Sequence, residues 1–226
     1  MRRAVFAEAL GSFFLFATVI GSGIMAEQLA GGNFAVALLG NTLATGAMLF
    51  VLITMLGPIS GAHFNPAVSL VFWLRGELTT ETALAYVAAQ LAGGLLGVWA
   101  AHLMFDLPIL QMSDKARTGV GQWSGELIAT FGLVLTILGT LRSRQEWVPV
   151  SVALYITAAY WFTSSTSFAN PAITIARSLS DSFAGIAVGD VAGFVVAQLA
   201  GAVLALGICR LLFPLEPNPA PASISG

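Results

Sequence analysis

One ordered set of markers occurs twice along this chain. Ala7-Glu8-Ala9-Leu10-Gly11-Ser12-Phe13 is answered by Gly125-Glu126-Leu127-Ile128-Ala129-Thr130-Phe131, and each stretch places one glutamate near the start of an apolar run. Ala89-Gln90-Leu91-Ala92-Gly93 returns as Ala197-Gln198-Leu199-Ala200-Gly201. Between these markers lie Phe64-Asn65-Pro66-Ala67 in the first copy and Phe168-Ala169-Asn170-Pro171-Ala172 in the second. Self-similarity of this length means that the chain is built from two copies of one unit.

The apolar runs decide where such a unit can fold. Of the 226 residues, 57% are apolar and 9% charged, against about a quarter charged in a soluble domain. Crossing roughly 30 Å of hydrocarbon takes about 20 apolar residues in a helix. Six runs meet or approach that length, at about 4–25, 34–56, 82–104, 123–141, 148–162 and 191–213. The first resembles a signal peptide in following Arg2 and Arg3, but it is too long for one and contains Glu8, so it reads as a helix.

Each copy holds three spans, about 4–104 for the first and 123–213 for the second. An odd number of crossings inserts the second copy upside down relative to the first. Related segments then lie symmetrically about the bilayer midplane. Residues 1–213 thus read as one membrane domain, followed by a proline- and serine-rich, disordered tail at 214–226. Arg2, Arg3, Arg75, Arg142, Arg144 and Arg210 fall on one side and Lys115, Arg117 and Arg177 on the other. The positive-inside bias therefore puts both termini in the cytoplasm, with the chain in the plasma (inner) membrane.

The net charge of −2 and the scattered basic residues give no footprint for nucleic acid. Cys209 is the sole cysteine and reads as a small buried apolar residue. His102 has no partner at ligand spacing, so no metal or cofactor site is expected. No nucleophile and base pair stands at recognisable spacing either, which argues against an enzyme.

The two Asn-Pro-Ala segments carry the functional reading. The tripeptide alone is weak, since Asn218-Pro219-Ala220 also occurs in the tail. Asn65 and Asn170 differ in occupying matching places in the repeat and opening short apolar stretches, 66–74 and 171–179. Asparagine is a strong N-cap and proline suits the first helical position. About ten residues of helix cover roughly 15 Å, half the hydrocarbon. Two half-helices entering from opposite faces meet at the midplane, and irregular backbone at that depth implies a water-filled passage. Their positive ends and the asparagine amides offer donors to a passing oxygen, interrupting proton-conducting water chains and repelling cations.

The two glutamates, Gly61-Ala62-His63-Phe64-Asn65-Pro66-Ala67, Phe168-Ala169-Asn170-Pro171-Ala172 and both Ala-Gln-Leu-Ala-Gly stretches together resemble the aquaporin, or major intrinsic protein, family over residues 4–213. That resemblance implies an all-α membrane fold of six transmembrane helices and two re-entrant half-helices, assembled as a homotetramer with one pore per subunit. It implies that Glu8 and Glu126 brace the half-helix loops and that His63 lines the inner mouth; a solvated loop histidine is the alternative.

Most relatives follow the second Asn-Pro-Ala with arginine, where this chain has Ile173. Counting back along the matching segments puts Thr45, Ala158 and Ser167 at the other filter positions. Such a ring is expected to be unusually wide and uncharged, favouring glycerol or neutral metalloid hydroxides such as arsenite over strict water selectivity. Arg177, one helical turn beyond Ile173, is expected in the outer vestibule, unless Asp181 holds it in an ion pair. Three further readings stay open: a secondary transporter with inverted repeats, a water-selective pore, and a junctional membrane protein with a closed pore.

Overall fold

The computed structural model describes residues 1–213, so the expected tail and its Asn-Pro-Ala lie outside the described residues. In chain order the elements are α1 (Arg2–Leu29), α2 (Phe34–Ser60), α3 (Pro66–Leu74), α4 (Thr80–Met104), α5 (Val120–Ser143), α6 (Val148–Phe162), α7 (Pro171–Arg177) and α8 (Val191–Leu212). Single 3₁₀ turns, Gln145–Trp147 and Val188–Asp190, lead into α6 and α8. All the regular structure among the described residues is helical, and a helix satisfies its backbone polar groups internally, as lipid requires.

Five of these helices are long and apolar enough to cross a membrane. Of the six expected spans the exception is α6, which has 15 residues; together with its leading turn it covers about 28 Å at the usual rises per residue. The helices overrun the expected spans at several ends, α2 for example continuing through Pro58 to Ser60. The short helix α7 instead stops at Arg177 rather than at residue 179. There the N–H groups of Ser178, Leu179 and Ser180 each turn back three residues, to Ile175, Ala176 and Arg177, which tightens the last turn and ends the helix.

Polarity is inverted relative to a soluble protein. Glu8, Glu126, Gln90, Gln198, Thr130 and Thr174 are fully buried, while Phe6, Leu84, Leu154 and Val196 stand out from the surface. An apolar exterior around a polar interior suits hydrocarbon as the surrounding solvent.

The repeat markers explain the helix pairing. Helix α4 lies along α1, and α8 lies along α5 in the same way. A side chain on Gly93 would run into the Ala9 backbone, and one on Gly201 into the Leu127 backbone. Each of these glycines therefore brings its helix against the residue that follows a buried glutamate. Close approach of this kind supplies much of the association energy between helices in lipid. The half-helices α3 and α7 both pack against α4 and α8, and α2 meets α6 across the two repeats.

Candidate functional site: a pore between two half-helices

Each half-helix starts as its sequence requires. The Asn65 side-chain oxygen accepts from the Ala67 N–H at 2.9 Å, and that of Asn170 from Ala172 and Ile173 at 3.0 and 3.3 Å, while Pro66 and Pro171 occupy first-turn positions without an N–H to satisfy. The two loops are then tied together. Asn65 Nδ2 donates to the Ala169 carbonyl at 2.7 Å and Asn170 Nδ2 donates to the Phe64 carbonyl at 2.8 Å. An amide NH₂ has two hydrogens, so each asparagine keeps one for another acceptor. Both asparagines line the same cavity.

The loops entering the half-helices are held open by the buried glutamates. Glu8 accepts from the Ser60 hydroxyl at 2.6 Å and from the His63 and Phe64 N–H groups at 2.9 and 2.7 Å. Glu126 accepts from the Phe168 and Ala169 N–H groups, both at 2.8 Å. Across a trans peptide the carbonyl points opposite to the N–H. The carbonyls of Ala62 and His63 therefore face away from Glu8, and those of Ser167 and Phe168 away from Glu126. Ala62, Phe64, Ser167 and Ala169 hold positive φ values of 52°, 48°, 49° and 47°, a conformation costly for residues with a side chain. The buried carboxylates are what hold this backbone in place.

Two glutamines complete the bracing, and the repeat alone did not disclose their role. Gln90 Nε2 donates to Glu8 at 2.8 Å and to the Ser69 hydroxyl at 3.0 Å. Gln198 Nε2 donates to Glu126 at 2.6 Å and to the Thr174 hydroxyl at 2.8 Å. The pattern is the same in both halves: glutamine of the third marker, glutamate of the first, hydroxyl inside the half-helix. Its recurrence in the Ala-Gln-Leu-Ala-Gly stretches was the available signal, because a polar residue repeated inside two apolar helices needs a buried partner.

The cavity has a volume of about 1590 Å³. One mouth is bordered by Arg75, Glu77, Arg142, Glu146 and Arg210; the passage continues past His63 and both asparagines to a distal end at Thr45, Tyr160, Ser167, Ile173 and Arg177. His63 is buried rather than solvated. Its Nδ1 lies 3.1 Å from the Ser69 hydroxyl, and its ring packs against Phe72 and Tyr86 at 4.6 and 5.4 Å. Cys209 is buried beside the mouth, and His102 ties the chain after α7 to the α4–α5 loop through Ser180 and Ile109, each at 2.9 Å.

Three of the four expected filter residues, Thr45, Ser167 and Ile173, are brought together at the distal end. The fourth is not. Ala158 is exposed on the outer surface of α6 and takes no part in lining the cavity. The lining stripe of α6 is Val152, Ile156 and Tyr160, at four-residue spacing. Ala158 lies two residues, about 200°, off that stripe, so the helical period overrides a position counted back through an irregular loop. The buried Tyr160 hydroxyl instead reaches Thr45 Oγ1 at 3.4 Å. The ring is therefore neither entirely small nor entirely aliphatic.

Arg177 also departs from expectation. It is 2% exposed and so does not stand in an open vestibule. Its Nε donates to the Ala184 carbonyl and its guanidinium carbon lies 3.3 Å from the centre of the Phe168 ring. Helical side chains lean toward the N-terminus, and this one leans far enough to reach the residue beside Ser167. No ion pair with Asp181 forms: among the described residues the one salt bridge is Arg75–Glu77, and Asp181 is exposed.

Apolar helices of membrane-spanning length, two opposed half-helices and a cavity running past both asparagines define a membrane channel. A sequence model of the major intrinsic protein family matches residues 1–164. The chain is 60% identical over 217 residues to aquaglyceroporin AqpS of Rhizobium meliloti (strain 1021), covering 96% of this chain and 92% of that protein. It is 34% identical over 158 residues to the lens fiber major intrinsic protein of Gallus gallus, covering 67% of this chain and 58% of that one. The X-ray structure of the aquaglyceroporin from Plasmodium falciparum shares the fold with a TM-score of 0.70 at 20% identity, over 94% of this chain and 97% of that one. The chain belongs to the major intrinsic protein family. It is an integral membrane channel for small solutes and not an enzyme.

Proposed function

We propose that the chain is a passive channel for small uncharged solutes, passing glycerol and neutral metalloid hydroxides such as arsenite as well as water. The observation that carries this reading is the pair of cross-tied asparagines, each with one amide hydrogen left over beside a single continuous cavity. A solute oxygen passing between them accepts from both. While it does so it cannot hand a proton along a file of waters, so protons are excluded together with cations.

The distal end supports a solute larger than water. Thr45 and Ile173 stand where an aromatic and an arginine would narrow the ring, and Tyr160, Phe168 and Ile173 offer apolar surface beside the hydroxyls of Thr45 and Ser167. A polyol presents carbon along one edge and hydroxyls along the other, and fits such a lining. The name of the 60%-identical relative, an aquaglyceroporin, points the same way. A transporter would need an ionisable site at the midplane; the two buried glutamates are instead occupied by loop N–H groups and glutamines. In the membrane the chain forms a homotetramer with one pore per subunit, in the plasma (inner) membrane, both termini and the Arg75, Arg142 and Arg210 mouth facing the cytoplasm.

Purified protein in lipid vesicles, followed by stopped-flow light scattering, tests the proposal. Flux of glycerol and arsenite should be non-saturating and independent of ion gradients. Water flux with glycerol and arsenite both excluded would overturn it, as would uptake that requires a sodium or proton gradient.

A further inference from the structure

Two polar side chains at the distal end have hydrogen-bonding capacity that the protein does not use. Among the described residues Arg177 Nη1 and Ser167 Oγ are buried and lack any partner, and both residues line the cavity. They are brought together by Phe168, which follows Ser167 in the chain and lies under the Arg177 guanidinium. Arg177 is otherwise held only through its Nε, on the Ala184 carbonyl.

The neighbouring cation behaves differently. Arg117 also lies over the Phe168 ring, at 5.1 Å, but it donates to the carbonyls of Gly185, Ser165 and Phe183 and so serves as a staple between loops. Among the described residues no carboxylate is paired with Arg177, and the nearby Glu126 is occupied by Phe168, Ala169 and Gln198. An ionised group kept in a dry interior without a partner is strongly disfavoured, and inside a membrane such a group marks a pathway. A guanidinium has five N–H donors in a flat fork. One edge is anchored to the protein here, and a donor on the other remains for whatever occupies the cavity.

We propose that Arg177 Nη1 and Ser167 Oγ form an oxygen-binding subsite at the distal end of the pore. The guanidinium donates to one oxygen of the solute and the serine hydroxyl engages a second, with the carbon or metalloid centre over the Phe168 edge. The same guanidinium supplies the fixed positive charge that Ile173 lacks, one helical turn along α7. The solutes selected are uncharged molecules with two neighbouring hydroxyl oxygens, and cations are turned back at this point before they reach the asparagines. This rests on the reading of the chain as a solute channel and names the residues that give that channel its selectivity.

The test uses the full-length protein in vesicles, comparing wild type with Arg177→Gln, Arg177→Lys and Ser167→Ala. Glycerol permeability is read as a ratio to water permeability, and cation leak is read from potassium-driven dye quenching. Arg177→Gln should lower the ratio about tenfold, equivalent to ~1.4 kcal/mol, and raise the leak. Arg177→Lys, which keeps the charge without the fork, should lower the ratio while leaving the leak at the wild-type level. Ser167→Ala should lower the ratio alone. Variants that elute as wild type with unchanged ratio and leak overturn the subsite. If Arg177→Gln fails to fold, Arg177→Lys and Ser167→Ala decide the matter by the same readouts. Wild-type vesicles without glycerol flux would overturn the channel reading instead, and so the two failures are distinct.

Discussion

Single side chains in this protein act mainly by completing someone else's hydrogen bonds. Glu8 and Glu126 hold loops whose residues sit at positive φ, and Gln90 and Gln198 hold the glutamates. Removing one member leaves a buried charge short of a partner. Hydrogen bonds to charged groups contribute about 1.5–3 kcal/mol each, so Gln198→Leu should lower stability by roughly that amount. Thermal unfolding in detergent would read it, with Gln90→Leu giving a similar loss by the symmetry of the repeat. A loss in one half only would mean that the two braces are not equivalent. Of the residues that line the cavity, Asn65, Asn170, Thr45, Ser167 and Ile173 were singled out from the repeat and from likeness to a family. Tyr160 was not, because its place depends on the rotation of α6 and not on its distance from Asn170 along the chain.

At the level of helices and loops, glycine marks where two backbones touch. Gly93→Val and Gly201→Val would each push a side chain into a neighbouring backbone, and overpacking of this kind typically costs about 1–3 kcal/mol. Gly207 has nothing within 4 Å of an added carbon, so Gly207→Ala should melt as wild type does. Equal losses at all three would mean that close backbone contact does not set the effect, since helix propensity alone favours each replacement over glycine. The loop between α4 and α5 adds a pH-dependent element. Lys115 Nζ donates to the Phe183 carbonyl at 2.7 Å, and burial, with Arg117 next in importance, pushes its ammonium down to about 8. The unfolded chain keeps that proton up to about pH 10.4. Below pH 8 the native loop bears the disfavoured charge in full, and between about 8 and 10.4 it has shed a proton that the unfolded chain retains, so stability rises with pH there. The melting temperature of wild type relative to Lys115→Met should accordingly increase from pH 7.5 to pH 10. A constant difference would remove Lys115 from the account.

For the molecule as a whole, the two inverted halves enclose one cavity, and the proposed selectivity belongs to the place where they meet and to one end. Ile173→Arg would place a second guanidinium a turn from Arg177 and beside Tyr160. Glycerol permeability should fall at least about tenfold, ~1.4 kcal/mol added to the barrier, while water permeability falls less. Equal reductions in both would indicate a general block. Legible in the order of residues were the membrane as solvent, the six spans, the two half-helices and their opposed insertion, because hydrophobic length, an odd number of crossings per repeat and Asn-Pro helix starts are local or countable properties. Which face of α6 borders the cavity, how far the Arg177 side chain leans back onto Phe168, and where the repeated glutamines reach became definite in the folded bundle alone. Those depend on helix rotation and on which groups find partners across the bundle, and neither is encoded in spacing along one chain.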